Sequence, residues 1–185
     1  MNRCMNILIT GVPGTGKSTL AERLAKELGY NYIDLNDVVK EKKLWKRKEK
    51  GVLVADVHAL EREVKRRMRW KSTVVDGHLG CDMKLPVDVV VVLRTPPKIL
   101  EKRLRARRYS KKKKLTNLLC EALDYCTIKA LENYDDVREI VTDISVEKAL
   151  KKLHRILGKD RAFRAGKISW GQELEKLAER AAVVS

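Results

Sequence analysis

The sequence predicts a doubly wound α/β domain around a five-stranded parallel sheet, and three observations lead to this fold class. Short runs rich in Val and Ile alternate along the chain with longer amphipathic segments. The runs are almost continuously apolar, which is typical of parallel strands that are buried on both faces. The length of 185 residues and the 44% content of hydrophobic residues suit one domain with its own core.

The alternation defines the strands and helices in order. The predicted strands are residues 6–10, 30–35, 73–76, 87–94 and 139–143. The predicted helices are residues 18–28, 57–68, 97–107, 115–133 and 146–157. In the first helix Leu20, Leu24 and Leu28 lie four residues apart on one face, and Gly29 marks its end. Strands joined by helices imply right-handed crossovers in a parallel sheet.

The last part of the chain differs from this alternating region. Residues 159–171 contain few apolar residues and two glycines, which predicts a linker. Residues 172–183 carry Leu174, Leu177 and Ala181 at helical spacing, which predicts a short terminal helix. We therefore expect a domain over residues 1–158, followed by a linker and helical tail over residues 159–185.

Charge and hydropathy limit the setting in which the protein works. The chain carries 41 Lys and Arg against 25 Asp and Glu, a net charge of +16. This excess favours a polyanionic partner such as nucleic acid, although solvated basic faces also occur without one. The longest mostly apolar run, residues 87–93, is too short to cross a bilayer, and no signal-peptide pattern precedes it. We expect a cytoplasmic protein without membrane association, in which Cys4, Cys81, Cys120 and Cys126 are ordinary thiols.

One motif indicates the chemistry. Residues 11–18 read Gly-Val-Pro-Gly-Thr-Gly-Lys-Ser and match GxxxxGK[ST], directly after a predicted strand and before a predicted helix. Gly14 and Gly16 allow backbone N–H groups to surround phosphate oxygens, and the helix N-terminus adds positive charge. Lys17 is expected to reach the β- and γ-phosphates, and the Ser18 hydroxyl is expected to take a Mg²⁺ position. The sequence thus predicts a P-loop NTPase.

A second element ends the third predicted strand. Residues 73–78 read Thr-Val-Val-Asp-Gly-His, and an Asp at the end of a strand beside a phosphate loop can hold Mg²⁺ through water. His78 lies two residues further and can face the same crevice. Two alternatives stay open, a turn residue for Asp76 and a simple hydrogen-bonding role for His78. No [NT]KxD element typical of GTPases is present, so the size favours a small kinase of the nucleoside monophosphate (NMP) type.

The chain resembles the adenylate kinase isoenzyme 6 family, NMP kinases tied to maturation of the small ribosomal subunit. The resemblance covers about residues 5–158 and its matching elements occur in order. They are Gly11-Val-Pro-Gly-Thr-Gly-Lys-Ser-Thr19, Tyr32-Ile-Asp-Leu-Asn-Asp37, Val75-Asp-Gly-His-Leu-Gly-Cys-Asp82, Leu93-Arg-Thr95, Arg103-Leu-Arg-Ala-Arg-Arg-Tyr109, Lys114-Leu-Thr-Asn117 and Cys120-Glu121.

The resemblance implies roles for individual residues. The residues that would bind the ATP phosphates are Gly14, Gly16, Lys17, Ser18 and Thr19. It implies an NMP-binding region at about residues 34–53 and a short lid at about residues 106–116, with Arg107 contacting ATP. Asp76 and His78 resemble the pair that places metal and water and gives ATPase activity. The charge that phosphoryl transfer must neutralise adds Arg94 and Arg103 as further candidates around the γ-phosphate, although Arg103 could equally be a solvated helix residue.

The resemblance also implies partners and leaves two functions open. The acceptor would be AMP or another NMP, and further partners would be a small-subunit ribosomal protein of the S11 family and rRNA or a 30S precursor. The first function is ATP + AMP = 2 ADP with ATPase activity and a role in rRNA maturation. The second is an ATP-switched ribosome-assembly factor with weak transfer. Another small-molecule kinase of this fold would require the match over residues 76–82 to be coincidental.

Several positions depart from the family pattern. Leu79 is inserted after His78, Arg108 stands where the lid usually has Gly, and no counterpart is assigned to the tail after Gly158. Positive charge is concentrated in residues 40–50, 62–71 and 102–114, with net charges of +5, +5 and +9. Two of these stretches coincide with the implied NMP-binding region and lid, which favours contact with RNA phosphates, although solvated basic faces would look the same.

Overall fold

The computed structural model describes residues 5–49, 52–107 and 109–184; Cys4, Lys50 and Arg108 lie outside them. Side chains are described except at residues 47–49, 52–53 and 183–184. The elements in chain order are β1 (Asn6–Thr10), α1 (Lys17–Leu28), β2 (Asn31–Asp34), α2 (Leu35–Lys42), β3 (Trp45–Glu49), β4 (Val52–Ala55), α3 (Val57–Arg67), β5 (Thr73–Asp76), β6 (Val89–Arg94), α4 (Pro97–Arg105), α5 (Lys111–Ala122), α6 (Tyr125–Asn133), β7 (Val137–Val141), α7 (Val146–Leu157) and α8 (Gly171–Val184).

The predicted five-stranded parallel sheet is confirmed. Its strand order is β2-β5-β1-β6-β7, and every neighbouring pair is parallel. The central strand β1 pairs with β5 through Ile9 and Asp76 and with β6 through Ile9 and Val91. After β1 the chain places β2 and β5 on one side of β1, and it then crosses over to place β6 and β7 on the other side. Such a reversal opens a crevice beyond the carboxyl ends of the strands.

The core lies on both faces of the sheet. Ile7 and Ile9 of β1 face a cluster that includes Leu24 of α1, whereas Leu8 between them faces a second cluster that includes Leu118 of α5. All five of these side chains are buried. This arrangement explains why the strands are continuously apolar in sequence, because both of their faces are covered by helices.

The single helix predicted over residues 115–133 is wrong. The structure contains α5 and α6, separated at Asp124, whose φ of 56° is left-handed. The turn is held by the Asp124 carboxylate, which accepts a hydrogen bond from the buried Arg94. The first of the two helices also begins earlier than predicted, because the Ser110 hydroxyl accepts a hydrogen bond from the Lys113 amide and caps it.

Residues 34–53 contain elements that the sequence did not reveal. They form α2, whose N-terminus is capped by the Asp34 carboxylate, and a hairpin of β3 and β4. The hairpin is antiparallel, with Trp45 opposite Ala55, and its register shifts between Trp45 and Arg47. It forms a separate two-stranded sheet beside the main one.

The tail docks on the domain, a point that the sequence left open. Residues 159–170 pass beside β7, where Arg138 and Arg164 form a β-bridge and the Ala165 amide donates to the Val137 carbonyl at 3.1 Å. Leu177 of α8 is 4% exposed and belongs to the same cluster as Leu118. Within the described residues, no helix has the length and apolar character required to cross a membrane.

Candidate active site

The loop between β1 and α1 folds tightly, and its Gly11 and Gly14 have backbone conformations that favour glycine. Gly11 has a φ of 137° and Gly14 a φ of 99°, values that other residues rarely adopt. A Cβ atom at Gly11 would lie 2.5 Å from the Leu93 carbonyl oxygen. The loop then turns into α1, and Lys17 bends back so that its Nζ donates to the Val12 carbonyl at 3.1 Å. The backbone thus forms the concave phosphate-binding turn that the motif predicts.

A cavity of about 470 Å³ opens above this loop, a volume typical of small-ligand sites. It is lined by Pro13, Gly14, Gly16, Lys17, Ser18, Thr19, Asn36, His78, Arg107, Tyr109, Lys113 and Asn117. We call it the loop cavity. The structure therefore brings the phosphate-loop residues singled out from the sequence together with His78 and Arg107.

A second cavity of about 180 Å³ lies on the other side of the same loop, and we call it the rear cavity. It shares Gly14, Gly16 and Thr19 with the loop cavity and adds Thr15, Leu20, Arg103, Thr142, Ile144, Val146 and Ala149. Its walls are largely apolar, and the Arg103 guanidinium is fixed there by a hydrogen bond of 2.5 Å to the Thr142 carbonyl.

Asp76 lies at the carboxyl end of β5, beside the phosphate loop, and is 1% exposed. It does not line the loop cavity, but its charge raises the pKa of Lys17, which does line it. Tyr32 donates to its Oδ2 at 3.3 Å, while its Oδ1 has no hydrogen-bond partner among the described residues. Burial raises the pKa of the carboxyl, and the Ser18 hydroxyl and the Lys17 ammonium oppose that rise.

The donor set at this point fits Mg²⁺ bound together with a nucleotide. Proteins commonly hold Mg²⁺ through one or two of their own oxygens and the phosphates of a substrate, so a large ligand cage is not needed. The described residues contain no group of three or more His, Cys, Asp or Glu side chains around one point. The unpaired Oδ1 of Asp76, next to the Ser18 hydroxyl, is a donor set of that minimal kind.

Lys17 and His78 share a confined, positively charged setting. Burial lowers the pKa of the Lys17 ammonium, and the Asp76 carboxylate opposes this change. Burial also lowers the pKa of His78 to about 4, and the charge of Lys17 adds to the effect. His78 is therefore neutral at pH 7. Leu79, the inserted residue, is accommodated in a 3₁₀ turn over His78–Asp82, and His78 still lines the loop cavity.

The segment between α4 and α5 supplies the cavity's opposite wall. Arg107 lines the cavity, and its charge lowers the pKa of Lys17. The Lys113 ammonium lies 4.5 Å from the centre of the Tyr109 ring. Lys113, Asn117 and Asn36 were not singled out as site residues from the sequence. If the helix had been predicted to begin at Lys111, Lys113 and Asn117 would have been recognised as neighbours on one helix face, because they are four residues apart.

Arg94 is not a phosphate ligand, so that interpretation of the sequence is wrong. Its side chain is 2% exposed and lies among carboxylates instead of in either cavity. It donates to Glu121 at 2.9 Å and to Glu139 at 2.7 Å, and it also pairs with Asp124. The tail completes this cluster, because the Trp170 indole donates to Glu121 Oε1 at 3.0 Å. We call these residues the Arg94 cluster.

The strand order and the phosphate loop define a P-loop protein with a kinase-like fold. The profile of a family described as AAA domain matches residues 7–124, from β1 through α5. The fold is also similar to shikimate kinase from Bacteroides thetaiotaomicron, with a TM-score of 0.62 and 19% identity over 83% of this chain and 98% of that chain. Shikimate kinase from Acinetobacter baumannii gives a TM-score of 0.61 and 21% identity over 85% and 96%. These identities show the fold alone.

Closer relatives define the family. Proteins named "Putative adenylate kinase" are 32% identical in Thermococcus onnurineus, over 95% of this chain and 96% of the relative, and 35% identical in Pyrococcus abyssi, over 94% and 95%. The relative of that name in Archaeoglobus fulgidus is 37% identical over 95% and 97%. The chain belongs to this archaeal adenylate kinase-related family.

The alignments with these relatives also include part of the tail. They cover 94–95% of the chain, whereas residues 1–158 make up only 85% of its 185 residues. The tail, to which the sequence analysis assigned no counterpart, therefore has one in these relatives.

Proposed function

We propose that this chain is an NMP kinase that transfers the γ-phosphate of ATP to AMP. The observation that carries this proposal is the position of two cavities on opposite sides of one phosphate loop. A transfer enzyme must hold a donor and an acceptor with the transferred group between them. A protein that only binds and hydrolyses ATP needs no second nucleotide cavity.

The rear cavity suits the base of the donor nucleotide. Ile144 and Val146 give it apolar walls, and the Arg103 guanidinium can stack on a flat base. The triphosphate would then follow the loop past Gly14, Gly16 and Thr19, which line both cavities. Its γ-phosphate would enter the loop cavity, where Lys17 and Arg107 supply positive charge.

The loop cavity suits the acceptor and the chemistry. Phosphoryl transfer depends on in-line positioning and on neutralising charge on the transferred group. Bound Mg²⁺ would neutralise part of that charge, and Ser18 and Asp76 are the residues that would hold it. The nucleophile is a phosphate oxygen of AMP, which carries no proton that must be removed. His78 is neutral at pH 7 and can donate a ring N–H hydrogen bond to that oxygen, orienting it without adding positive charge.

Two neighbouring segments complete the proposal. Asn36, from the region at residues 34–53, lines the loop cavity, which fits an NMP-binding role for that region. Residues 106–116 contain Arg107 and Tyr109 and would act as a lid that excludes water from the transfer step. Without an acceptor, a water molecule held by His78 would give ATPase activity at the same site. His78→Ala should therefore lower hydrolysis, and an unchanged hydrolysis rate would contradict this role.

The experiment is ADP formation from ATP and Mg²⁺ by the purified chain, with AMP from zero to saturation. We expect saturable stimulation by AMP and a loss of about 100- to 1,000-fold in Lys17→Ala, since a cation at the reacting phosphate is removed. Lys26→Ala, an exposed position on the same helix, is the matched control and should match wild type. Slow ATP hydrolysis that ignores AMP and every other NMP would contradict the proposal.

A second candidate function is an ATP-switched ribosome-assembly factor that binds rRNA and a small-subunit ribosomal protein of the S11 family. It is favoured by exposed groups suited to single-stranded nucleic acid. Trp70 is 92% exposed between Arg69 and Lys71, and Lys111 and Lys112 are exposed with no ion pair among the described residues. Aromatic stacking and phosphate contacts of this kind bind RNA without base specificity.

This candidate is tested by binding of single-stranded RNA and of the ribosomal protein, each with and without ATP. We expect Trp70→Ala to weaken RNA binding at least threefold, while the exposed Trp70 contributes nothing to ADP formation. Lys111→Ala with Lys112→Ala should reduce the salt dependence of RNA binding. Partner binding that is indifferent to ATP, together with efficient AMP-dependent transfer, would exclude the switch.

A further inference from the structure

Helix α5 presents three polar side chains along one face. Lys113, Asn117 and Glu121 follow each other at intervals of four residues. The first two line the loop cavity, whereas Glu121 is 2% exposed and bonded to Arg94, to the Thr95 amide and to the Trp170 indole. The bonds of Glu121 thus fix this helix face one turn after Asn117, and they hold Asn117 in the wall of the loop cavity.

The amide of Asn117 lacks a hydrogen-bond partner. Its Nδ2 is fully enclosed, and no acceptor lies within hydrogen-bond distance among the described residues. Apart from Asp76 Oδ1, no other buried side-chain nitrogen or oxygen in the described part of the chain is unpaired. Buried donors are almost always paired in folded proteins, so a donor left unpaired in a cavity wall points to an acceptor supplied by a ligand.

The surroundings specify the ligand's chemistry. Arg107 and Lys113 line the same cavity, so the group that enters is anionic and rich in oxygen acceptors. Asn117 shares this cavity with Asn36 and His78 and is absent from the rear cavity that contains Arg103. These placements put Asn117 on the acceptor side of the phosphate loop.

We infer that Asn117 contacts the acceptor nucleotide: its Nδ2, which is enclosed and unpaired among the described residues, turns into the loop cavity and donates to an oxygen of the acceptor phosphate, thereby setting acceptor affinity. This inference rests on the proposed NMP kinase function. A neutral amide suits this position, because it adds a donor without adding a further cation next to Lys113 and Arg107. An aspartate there would offer only acceptors and a negative charge to the incoming phosphate.

The experiment compares wild type, Asn117→Ala, Asn117→Asp and the control Asn31→Ala, using KM and kcat for AMP and for ATP together with the thermal midpoint. Asn31 is an exposed asparagine at the start of β2 and lines neither the loop cavity nor the rear cavity. We expect the KM for AMP to rise about 10-fold in Asn117→Ala and about 100-fold in Asn117→Asp. In Asn117→Ala the KM for ATP and the thermal midpoint should stay within error, because the amide nitrogen has no hydrogen-bond partner among the described residues.

Two results would overturn the inference while leaving the proposed function intact. In one, wild type is AMP-dependent but both Asn117 variants keep its KM for AMP. In the other, only the KM for ATP rises, which would put Asn117 on the donor. Wild-type protein that forms no ADP from AMP or any other NMP would instead overturn the proposed function, and this inference with it.

Discussion

Two polar clusters lie at the carboxyl edge of the sheet, on either side of β1, and they differ in one respect. The Arg94 cluster, at the end of β6, is satisfied internally: its cation meets three carboxylates, the Gly166 amide of the tail donates to Glu139 Oε2, and the Trp170 indole donates to Glu121 Oε1, which Arg94 also bonds. Among the described residues, Asp76 at the end of β5 retains an unpaired Oδ1, and Asn117 in the wall of the loop cavity retains an unpaired Nδ2. Completeness indicates a structural role, and unpaired buried atoms indicate a ligand site.

The buried cations of the two clusters titrate differently. Burial acts to lower the pKa of Arg94, but the charge and hydrogen bonds of Glu121 and the bond to Glu139 outweigh it, so the pKa is raised. At Lys17 burial outweighs the Asp76 carboxylate, so the pKa is lowered. The carboxyls do not differ in this way, because burial raises the pKa of Asp76 in one cluster and of Glu121 in the other.

The largest effect is expected when the complete cluster loses its cation. Arg94→Ala leaves Glu121 and Glu139 buried without their partner, and the free energy of unfolding should fall by about 3–5 kcal/mol in urea denaturation. Arg105→Ala is the matched control: Arg105 lies on the surface of α4, 3.6 Å from Glu101, and its loss should cost less than about 1 kcal/mol. Similar losses for both variants would remove the contrast between the two clusters.

A smaller effect tests His78 in the incomplete cluster. Its pKa is lowered from the ordinary value near 6.5 to about 4, so the folded state binds this proton less readily than the unfolded state. The stability it contributes is present above pH 6.5 and is lost as the pH falls toward 4. The difference in unfolding free energy between His78→Gln and wild type should shift in favour of the variant over this range. A difference that stays flat over this range would contradict the confined positive setting of His78.

The smallest effect on the free energy of unfolding is expected for the contact between the tail and the Arg94 cluster. Trp170→Phe removes the indole donor to Glu121 and should lower the free energy of unfolding by about 1.5 kcal/mol, since the acceptor is a charged carboxylate. Trp70→Phe changes an indole that is 92% exposed and should alter stability by less than about 0.5 kcal/mol. Equal unfolding curves for the two variants would show that the tail does not complete the Arg94 cluster.

The sheet and the phosphate loop were predictable because their signals are local. The inner strands β1, β5 and β6 are nearly continuous apolar runs, and residues 11–18 carry the spacing, the glycines and Lys17 in one segment. The loop cavity follows directly from the position of this segment after β1.

The remainder depends on contacts between residues distant in sequence. Arg94 at a strand end has the same local sequence whether it meets a phosphate or a carboxylate, and its partners Glu121 and Glu139 are 27 and 45 residues away. Asn117 was missed because the apolar period begins at Leu115, whereas Ser110 starts the helix one turn earlier.

Local charge counting was similarly limited. Residues 62–71 carry a net charge of +5, yet Lys65, Arg66 and Arg67 each pair with a glutamate. Residues 102–114 differ, because they contain no acidic residue of their own. Within the described part of the chain Lys111 and Lys112 have no ion pair, whereas Arg105 pairs with Glu101. The net charges of +5 and +9 therefore do not show which cations are already paired with carboxylates.

The division into a ligand site and a structural cluster is tested by changing one carboxylate to an amide in each, Asp76→Asn and Glu139→Gln, and measuring unfolding free energy and AMP-dependent kcat/KM at pH 7. Asp76→Asn should keep or gain stability, because burial raises the pKa of this carboxyl and so disfavours its charged form in the folded state relative to the unfolded state, while transfer falls about 100-fold. Glu139→Gln should lose about 2–4 kcal/mol of stability and keep kcat/KM within about threefold. Loss of stability without loss of transfer in Asp76→Asn, or the converse in Glu139→Gln, would contradict the division into a ligand site and a structural cluster.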